Sequence, residues 1–358
     1  MSNTPAGVRC MLMRGGTSKG AFFLEDDLPS DPDERDRLLL RIMGSPDPRQ
    51  IDGVGGAHPL TTKVAVVASS VRDDADVEYL FLQPDLATAT ITDRQNCGNM
   101  LAAVGPFAVE RGLIEPEDGI ASVRILMRNT GGVAVAKFPV ENGRPVYHGD
   151  IFISGVPGSG AEIRLEFVDT EGSTTGSLLP TGNQRDEIDG TPVTLIDNGM
   201  PVVVMTADAL DVGAYETCEE LEANATLRDR LESIRLAAGP MMNLGDVANT
   251  TVPKLTIVAP PQWGGTVSTR TFTPHRCHDA IGVLGAVSVA TACLLPGSTA
   301  AGVAHLDEGS GVMTIEHPSG TFDVTLSIRM DGPPLVERAG IIRTARLLMD
   351  GTVYPRSY

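Results

Sequence analysis

Thr61-Thr62-Lys63-Val64-Ala65-Val66-Val67-Ala68, followed by Gln95-Asn96-Cys97-Gly98-Asn99-Met100-Leu101-Ala102-Ala103-Val104-Gly105, is echoed later in the same chain. The second copy reads Thr251-Val252-Pro253-Lys254-Leu255-Thr256-Ile257-Val258-Ala259, then His275-Arg276-Cys277-His278-Asp279-Ala280-Ile281-Gly282-Val283-Leu284-Gly285. Each copy has the pattern of a buried strand opened by a lysine, more β-structure, a turn holding a cysteine, and an apolar helix. Such a duplication predicts an α+β chain of two similar domains related by a pseudo-twofold axis. A cleft between them would receive both helix N-termini. The expected domains are 1–182, with Lys63 and Cys97, and 183–345, with 346–358 a C-terminal segment that returns to the first.

Outward from the echo, short apolar runs bounded by turn residues continue the β pattern: Val77 to Leu82, Val123 to Met127, Ile163 to Val168 and Leu255 to Val258. Val193 to Ile196 and Pro201 to Met205 flank Asp197-Asn198-Gly199, which predicts a hairpin whose Asn-Gly supplies the positive φ of a tight turn. Helices are fewer. Asp33 to Met43 is one, with Pro32 near its start and Gly44 at its end. Glu219 to Ala238 is another, with Leu227, Leu231 and Ile234 on one face and Gly239 at the stop. A third runs from Cys97 to Leu113. The 39 glycines, 25 prolines and 4% aromatics fit many tight turns and short strands.

The chain has 358 residues, 42% hydrophobic and 21% charged, enough for two cores. Its formal charge of −18 repels nucleic acid and anionic membranes, so neither is an expected partner. The same field repels an anionic substrate, so a carboxylate ligand needs a locally positive pocket. The cysteines Cys10, Cys97, Cys218, Cys277 and Cys293 are odd in number and carry no CxxC, which argues against a disulfide framework and for a reducing compartment. Met1 to Arg9 shows no apolar signal segment, and no run has the length of a membrane span. A cytoplasmic protein is expected.

Cys97 opens a helix, where backbone N–H groups and the helix dipole favour a thiolate and can hold a substrate carboxylate. Gly98 lets the backbone approach a ligand closely. A buried, inert cysteine is the competing reading. Lys63 is either a solvated strand end or, if buried, a lysine tuned toward proton transfer. Arg14-Gly15-Gly16-Thr17-Ser18-Lys19-Gly20 lacks the order of a phosphate loop, yet could present Arg14 and backbone N–H groups to a carboxylate. His275 and His278 flank Cys277 without a partner cluster at metal-ligand spacing, so anion binding, helped by Arg270, is favoured over a metal. Pro180-Thr181-Gly182-Asn183 is a turn that could hydrogen-bond a substrate. No motif for a metal, flavin or nicotinamide is present, and no GxSxG surrounds Ser18 or Ser288.

MRGGTSKG (Met13 to Gly20), GSPDPRQIDGVGG (Gly44 to Gly56), TTK (Thr61 to Lys63), QNCGN (Gln95 to Asn99) and HPSG (His317 to Gly320) together resemble the PrpF family over nearly the whole chain. The resemblance implies a diaminopimelate-epimerase-like fold: two domains, each a curled, mostly antiparallel sheet around a central helix, with the active site between them. LLPTGN (Leu178 to Asn183), LIDNGMPVVV (Leu195 to Val204), MNLGDV (Met242 to Val247) and PHRCHDAIGVLGAVSVATACL (Pro274 to Leu294) are most similar to the family's 4-oxalomesaconate tautomerase branch. That implies a role in gallate or protocatechuate catabolism, and it implies that Lys63 and Cys97 stand at the positions of the family's acid–base pair. Arg14, Ser18, Thr62, Gly98, Asn99, Asn183, Arg270, His275 and His278 are extrapolated from it as substrate-binding residues.

The expected chemistry is cofactor-independent. A C–H between a carboxylate and an unsaturated keto acid is acidic because its carbanion delocalises. One of Lys63 and Cys97 removes that proton and the other returns one, by keto–enol tautomerisation or a 1,3-allylic shift. Three alternatives stand beside this reading: a methylaconitate-type isomerase, an epimerase or racemase that pairs Cys97 with Cys277, and a non-catalytic protein that binds a polycarboxylate. A homodimer is left open.

Overall fold

Short buried runs bounded by turn residues dominate the chain, and strands outnumber helices among the described residues. The computed structural model describes residues 6–93, 96–307, 311–332 and 334–357. Gln95 of the cysteine turn lies outside the described residues. The chain divides into one unit of Met1–Val168 with Ile342–Tyr358 and a second of Asp169–Ile341. These cuts differ from the lines at 182/183 and 345/346 expected from the sequence.

In the first unit β1 (Val8–Gly15) pairs antiparallel with β2 (Ser18–Leu24). Then β2 runs parallel to β3 (Lys63–Ser69), β3 antiparallel to β4 (Val77–Pro84), and β4 parallel to β5 (Gly119–Met127). Next, β5 pairs antiparallel with β6 (Val133–Glu141), and β6 antiparallel with β7 (Ile163–Phe167). Parallel neighbours need crossovers. The crossover from β2 to β3 carries α1 (Pro32–Met43), and that from β4 to β5 carries α2 (Gly98–Leu101) and α3 (Val104–Glu110).

The second unit repeats this order of senses. Within it, β8 (Thr191–Asp197) is antiparallel to β9 (Pro201–Thr206), which is parallel to β10 (Lys254–Ala259). Strand β10 is antiparallel to β11 (Val267–Phe272), which is parallel to β12 (Val312–His317). Antiparallel β13 (Gly320–Arg329) and β14 (Leu335–Arg343) follow. The first crossover carries α4 (Cys218–Ala223) and α5 (Ala225–Met241), and the second carries α6 (Val283–Leu294). Lys63 and Lys254 each open the strand after the first crossover, so the sequence echo corresponds to a repeated topology.

Each sheet buries both faces. In the first unit Phe23, Val64, Val66 and Leu82 pack with Leu39, Ile42 and Met43 of α1. The opposite face meets α2 and α3, where the Phe22 and Phe107 rings lie 5.5 Å apart. In the second unit Leu195, Val203, Leu255 and Ile257 pack with Leu227, Leu231, Ile234 and Ala238 of α5. Helix α6 is almost wholly apolar and buried, and its two hydroxyls, Ser288 and Thr291, are hydrogen-bonded.

Helix boundaries correct the sequence reading at three places. The segment expected as one helix from Glu219 to Ala238 is two, because Asn224 leaves helical geometry at φ −76°, ψ 96° and caps α5 by accepting from the Leu227 N–H. Gly239 does not stop α5, which runs on through Pro240 to Met241. Gly239 is small because Val247 packs where its Cβ would lie. The apolar run from Cys97 breaks after Leu101, where Ala103 bonds back only to Met100, and restarts as α3 with Pro106 in its first turn. The 197–201 hairpin has Asp197 paired with Pro201, so Asn198, Gly199 and Met200 form the loop, and of these only Gly199 has positive φ, at 89°. Among the described residues no helix is long and apolar enough to cross a membrane.

Candidate active site

The face of the first unit's strands that meets α2 and α3 carries the candidate residues. Strand alternation puts Ser18 and Gly20 of β2, Lys63 and Ala65 of β3, and Tyr79, Phe81 and Gln83 of β4 on one face. Lys63 is 7% exposed. Its Nζ donates to Gln83 Oε1 at 2.9 Å and lies 5.0 Å from the centroid of the Phe81 ring. Gln83 Nε2 in turn donates to the Thr62 carbonyl at 2.7 Å, so the amide is held at both ends. The sequence reading missed Gln83. Its contact with Lys63 is set by strand register, which no local motif displays.

Cys97 caps α2 with φ −124°, and its side chain makes no capping bond. The residue is partly exposed. Tyr79, two residues from Phe81 on the same face, donates its hydroxyl to the Cys97 carbonyl at 3.4 Å. Burial, followed by the nearby Cys97 thiol, pushes the Tyr79 phenol well above its ordinary value, so it remains a neutral donor. Asn96 ties the turn to the end of β5 by donating to Thr130 Oγ1 at 2.6 Å. One row of β4 side chains thus serves both Lys63 and the Cys97 turn.

Glycines let α2 approach. A Cβ on Gly15 would lie 2.3 Å from the Asn99 carbonyl oxygen, and one on Gly20 would lie 2.4 Å from the Lys63 carbonyl oxygen and 2.5 Å from Met100 Cε. Gly16, at φ 52°, faces the Asn99 side chain. Asn99 Nδ2 donates to Thr17 Oγ1 at 3.0 Å, and its Oδ1 accepts from Arg343 Nε at 3.2 Å. Arg14 Nη1 donates to the carbonyls of Gly16 and Thr344, which fixes the same loop. Burial, then the neighbouring Arg346, lowers Arg14 from the usual guanidinium value. Arg343 is a second residue the sequence reading did not single out, because it arrives from the far end of the chain.

Ser18 and Thr62 are both buried but differ in occupation. Thr62 Oγ1 donates to Gln50 Oε1 at 2.6 Å, and Gln50 also accepts from the Ala57 N–H. In this arrangement the Thr62 hydroxyl braces the Gly44 to Gly56 loop. Ser18 Oγ and Asn96 Oδ1 are buried without a hydrogen-bond partner among the described residues. Such groups cost stability unless something satisfies them, and a bound ligand can do so. The first unit therefore brings Arg14, Ser18, Lys63, Cys97, Gly98 and Asn99 together, with Thr62 behind them.

The other candidates belong to the second unit. Asn183 lies on an exposed turn and donates to Asp186 Oδ1 at 2.8 Å. Arg270 is buried in β11, with Nε donating to the Glu216 carbonyl and Nη1 to the Thr269 carbonyl. His275 is exposed, with Nδ1 3.6 Å from Glu232. His278 Nδ1 accepts from the Ala280 N–H. Desolvation by its neighbours, with the Lys254 cation adding, lowers its imidazole from the ordinary value against the opposing pull of Asp279. Among the described residues no three His, Cys, Asp or Glu side chains gather as a metal site.

The PrpF protein family model matches residues 6–356. The chain belongs to the PrpF family. It is 55% identical over 347 residues to 4-oxalomesaconate tautomerase of Pseudomonas putida, covering 97% of this chain and 95% of the relative. It is 56% identical over 346 residues to (4E)-oxalomesaconate Delta-isomerase of Novosphingobium sp., covering 96% of each. Among solved structures it resembles methylitaconate-delta-isomerase with a TM-score of 0.89 at 33% identity, over 99% of this chain and 96% of that one. The α+β architecture expected from the sequence is therefore shared with that solved structure.

Proposed function

We propose that this chain is a cofactor-independent isomerase that moves a proton within 4-oxalomesaconate, in the catabolism of gallate or protocatechuate. The observation that carries the reading is the face shared by Lys63 and the Cys97 turn, with buried, unpartnered Ser18 beside them. Two relatives at more than half identity, both named for oxalomesaconate, supply the substrate class.

The chemistry follows from these groups. A carbanion next to a keto acid spreads its charge onto oxygen, so a donor array lowers the barrier. The Arg14 guanidinium, the Ser18 hydroxyl and the backbone N–H groups of Gly98 and Asn99 at the start of α2 form such an array in a chain that is otherwise strongly acidic. One of Lys63 and Cys97 takes the proton, and the other delivers one to the far end of the conjugated system. Each such group contributes typically about 10²–10⁴-fold in rate. The free thiols suit a reducing cytoplasm, where we place the reaction.

The thiol-pair epimerase reading fares worse. Cys277 is buried against Cys218, and burial, followed by that contact, pushes its thiol well up, which disfavours the thiolate that a racemase needs.

The test is purified protein alone with 4-oxalomesaconate in deuterium oxide, followed by ultraviolet absorbance and proton NMR. Product carrying deuterium is expected, with Lys63→Met and Cys97→Ser each losing at least about 10²-fold in kcat while remaining folded. No spectral change and no deuterium uptake, or near-normal rates in both variants, would sink the proposal.

A further inference from the structure

The second unit holds a pair of thiols that the isomerase chemistry does not use. Cys218 is the first residue of α4 and Cys277 sits in the turn after β11, yet their Sγ atoms are 2.8 Å apart. Cys218 Sγ also lies 3.6 Å from the His278 carbonyl oxygen, to which it donates.

The backbone holds the two sulfurs face to face. Cys277 bridges antiparallel to Phe272, while Thr273 N–H donates to the Arg276 carbonyl and His278 N–H to the Thr271 carbonyl. The Cys277 N–H donates to Glu222 Oε1 at 2.9 Å, and Glu222 lies one turn along α4 from Cys218. Helix and turn are thereby tied beside the sulfurs. Cys277 is buried, whereas Cys218 is partly exposed and open to a small oxidant. Of the other thiols, Cys10 and Cys293 are buried in the cores and Cys97 stands in the candidate site.

We propose that Cys218 and Cys277 form a dithiol modification site that a peroxide converts into an intrachain disulfide. The Cys218 thiolate attacks a peroxide oxygen: an S–O bond forms, the O–O bond breaks, and hydroxide leaves to be protonated to water. Cys277 sulfur then attacks Cys218 sulfur, forming S–S as S–O breaks, and the thiol proton leaves with the departing oxygen as a second water. The two sulfurs together lose two electrons and hydrogen peroxide gains them. The sulfurs need to close only to the bonded distance of about 2.05 Å, a movement of under an ångström. A small dithiol such as dithiothreitol reverses the step by exchange. The product would lock the turn bearing His275 and His278 onto α4.

The test uses the full chain, reduced, freed of reductant, treated with hydrogen peroxide, alkylated and digested without reduction for mass spectrometry. The dose is the lowest that removes free Cys97 thiol, which serves as the internal control. The expected result is a linked peptide pair containing Cys218 and Cys277, two hydrogens lighter than the separate peptides. Alkylated Cys218 and Cys277 should fall together by more than half and return with dithiothreitol. Cys277→Ala should abolish the link and leave Cys218 as a sulfenic acid that dimedone traps. Recovery of both as singly alkylated thiols once Cys97 has reacted would overturn the proposal. So would disulfides linking either residue to a different cysteine.

Discussion

At the residue scale, Lys63 and Cys97 could be picked out from short motifs, because a lysine opening an apolar run and a cysteine opening a helix are local signals. Their supports are not local. Gln83 reaches Lys63 only because β3 and β4 pair in a particular register, and Arg343 reaches Asn99 from a remote strand. Gln83→Leu is expected to lower kcat about tenfold by freeing the Lys63 ammonium to wander, with little change in melting temperature. Gln83→Glu keeps a side-chain oxygen that can accept from the Lys63 Nζ, so it should retain more turnover than Gln83→Leu. An equal loss in both variants would show that this contact does not position Lys63. Ser18→Ala makes a complementary test. The Ser18 hydroxyl has no partner among the described residues, so its loss should leave stability unchanged or slightly raised. If it binds a substrate carboxylate, KM should rise about tenfold, the value of one charge-assisted hydrogen bond. Unchanged KM would remove Ser18 from the site.

At the element scale, the strands were legible because their side chains are buried in continuous runs, and α1 because Pro32 and Gly44 mark its ends. The helix breaks were not legible in the same way. Asn224 inside an amphipathic pattern looks like a tolerated polar residue until its side chain is seen capping α5. Asn224→Ala should therefore cost about 1 kcal/mol, read as a lower midpoint in urea with an unchanged slope. Gly20 tests the approach of α2 to β2. A methyl there meets the Lys63 backbone oxygen, which cannot swing aside as a side chain could. Gly20→Ala is expected to destabilise by about 1–3 kcal/mol and to impair turnover, because relief of the clash must displace either Lys63 or α2. Wild-type stability and kcat together would show that the contact is loose.

At the scale of the whole molecule, ionisation sets limits on stability from both sides of neutrality. On the acid side, Glu232 is held below its usual range first by its bonds from Arg235, while for Asp76 burial pushes upward but Arg124 overrides it. Stability from carboxylates with lowered values is present above their unfolded pKa near about 4 and is lost as pH falls through the folded value. His278, also lowered, works in the same direction below about pH 6.5, because the unfolded chain takes up the proton more readily. On the alkaline side, burial raises Cys10 and Cys293 from 9.0 to about 12, so only the unfolded thiols ionise as pH climbs past their ordinary value, and folding weakens. Thermal unfolding under reductant should show its highest midpoint between about pH 6.5 and 8.5 and a decline on both sides. A midpoint still climbing at pH 10 would contradict the buried-thiol account.

The repeated order of pairings was foreshadowed by the lysine and cysteine echo, but the division of the chain was less visible. A late strand, β15 (Ala345–Val353), lines up along β1 from Val8↔Val353 to Gly15↔Ala345. That pairing has a consequence for synthesis. Residues 169–341 are contiguous and emerge from the ribosome together, so the second unit can fold while translation continues. The first unit is begun earlier but finished later, because β1 keeps an open edge until residues 345–353 have been made. The half of the chain that carries Lys63 and Cys97 is thus assembled last, with β1 exposed to mispairing throughout the interval.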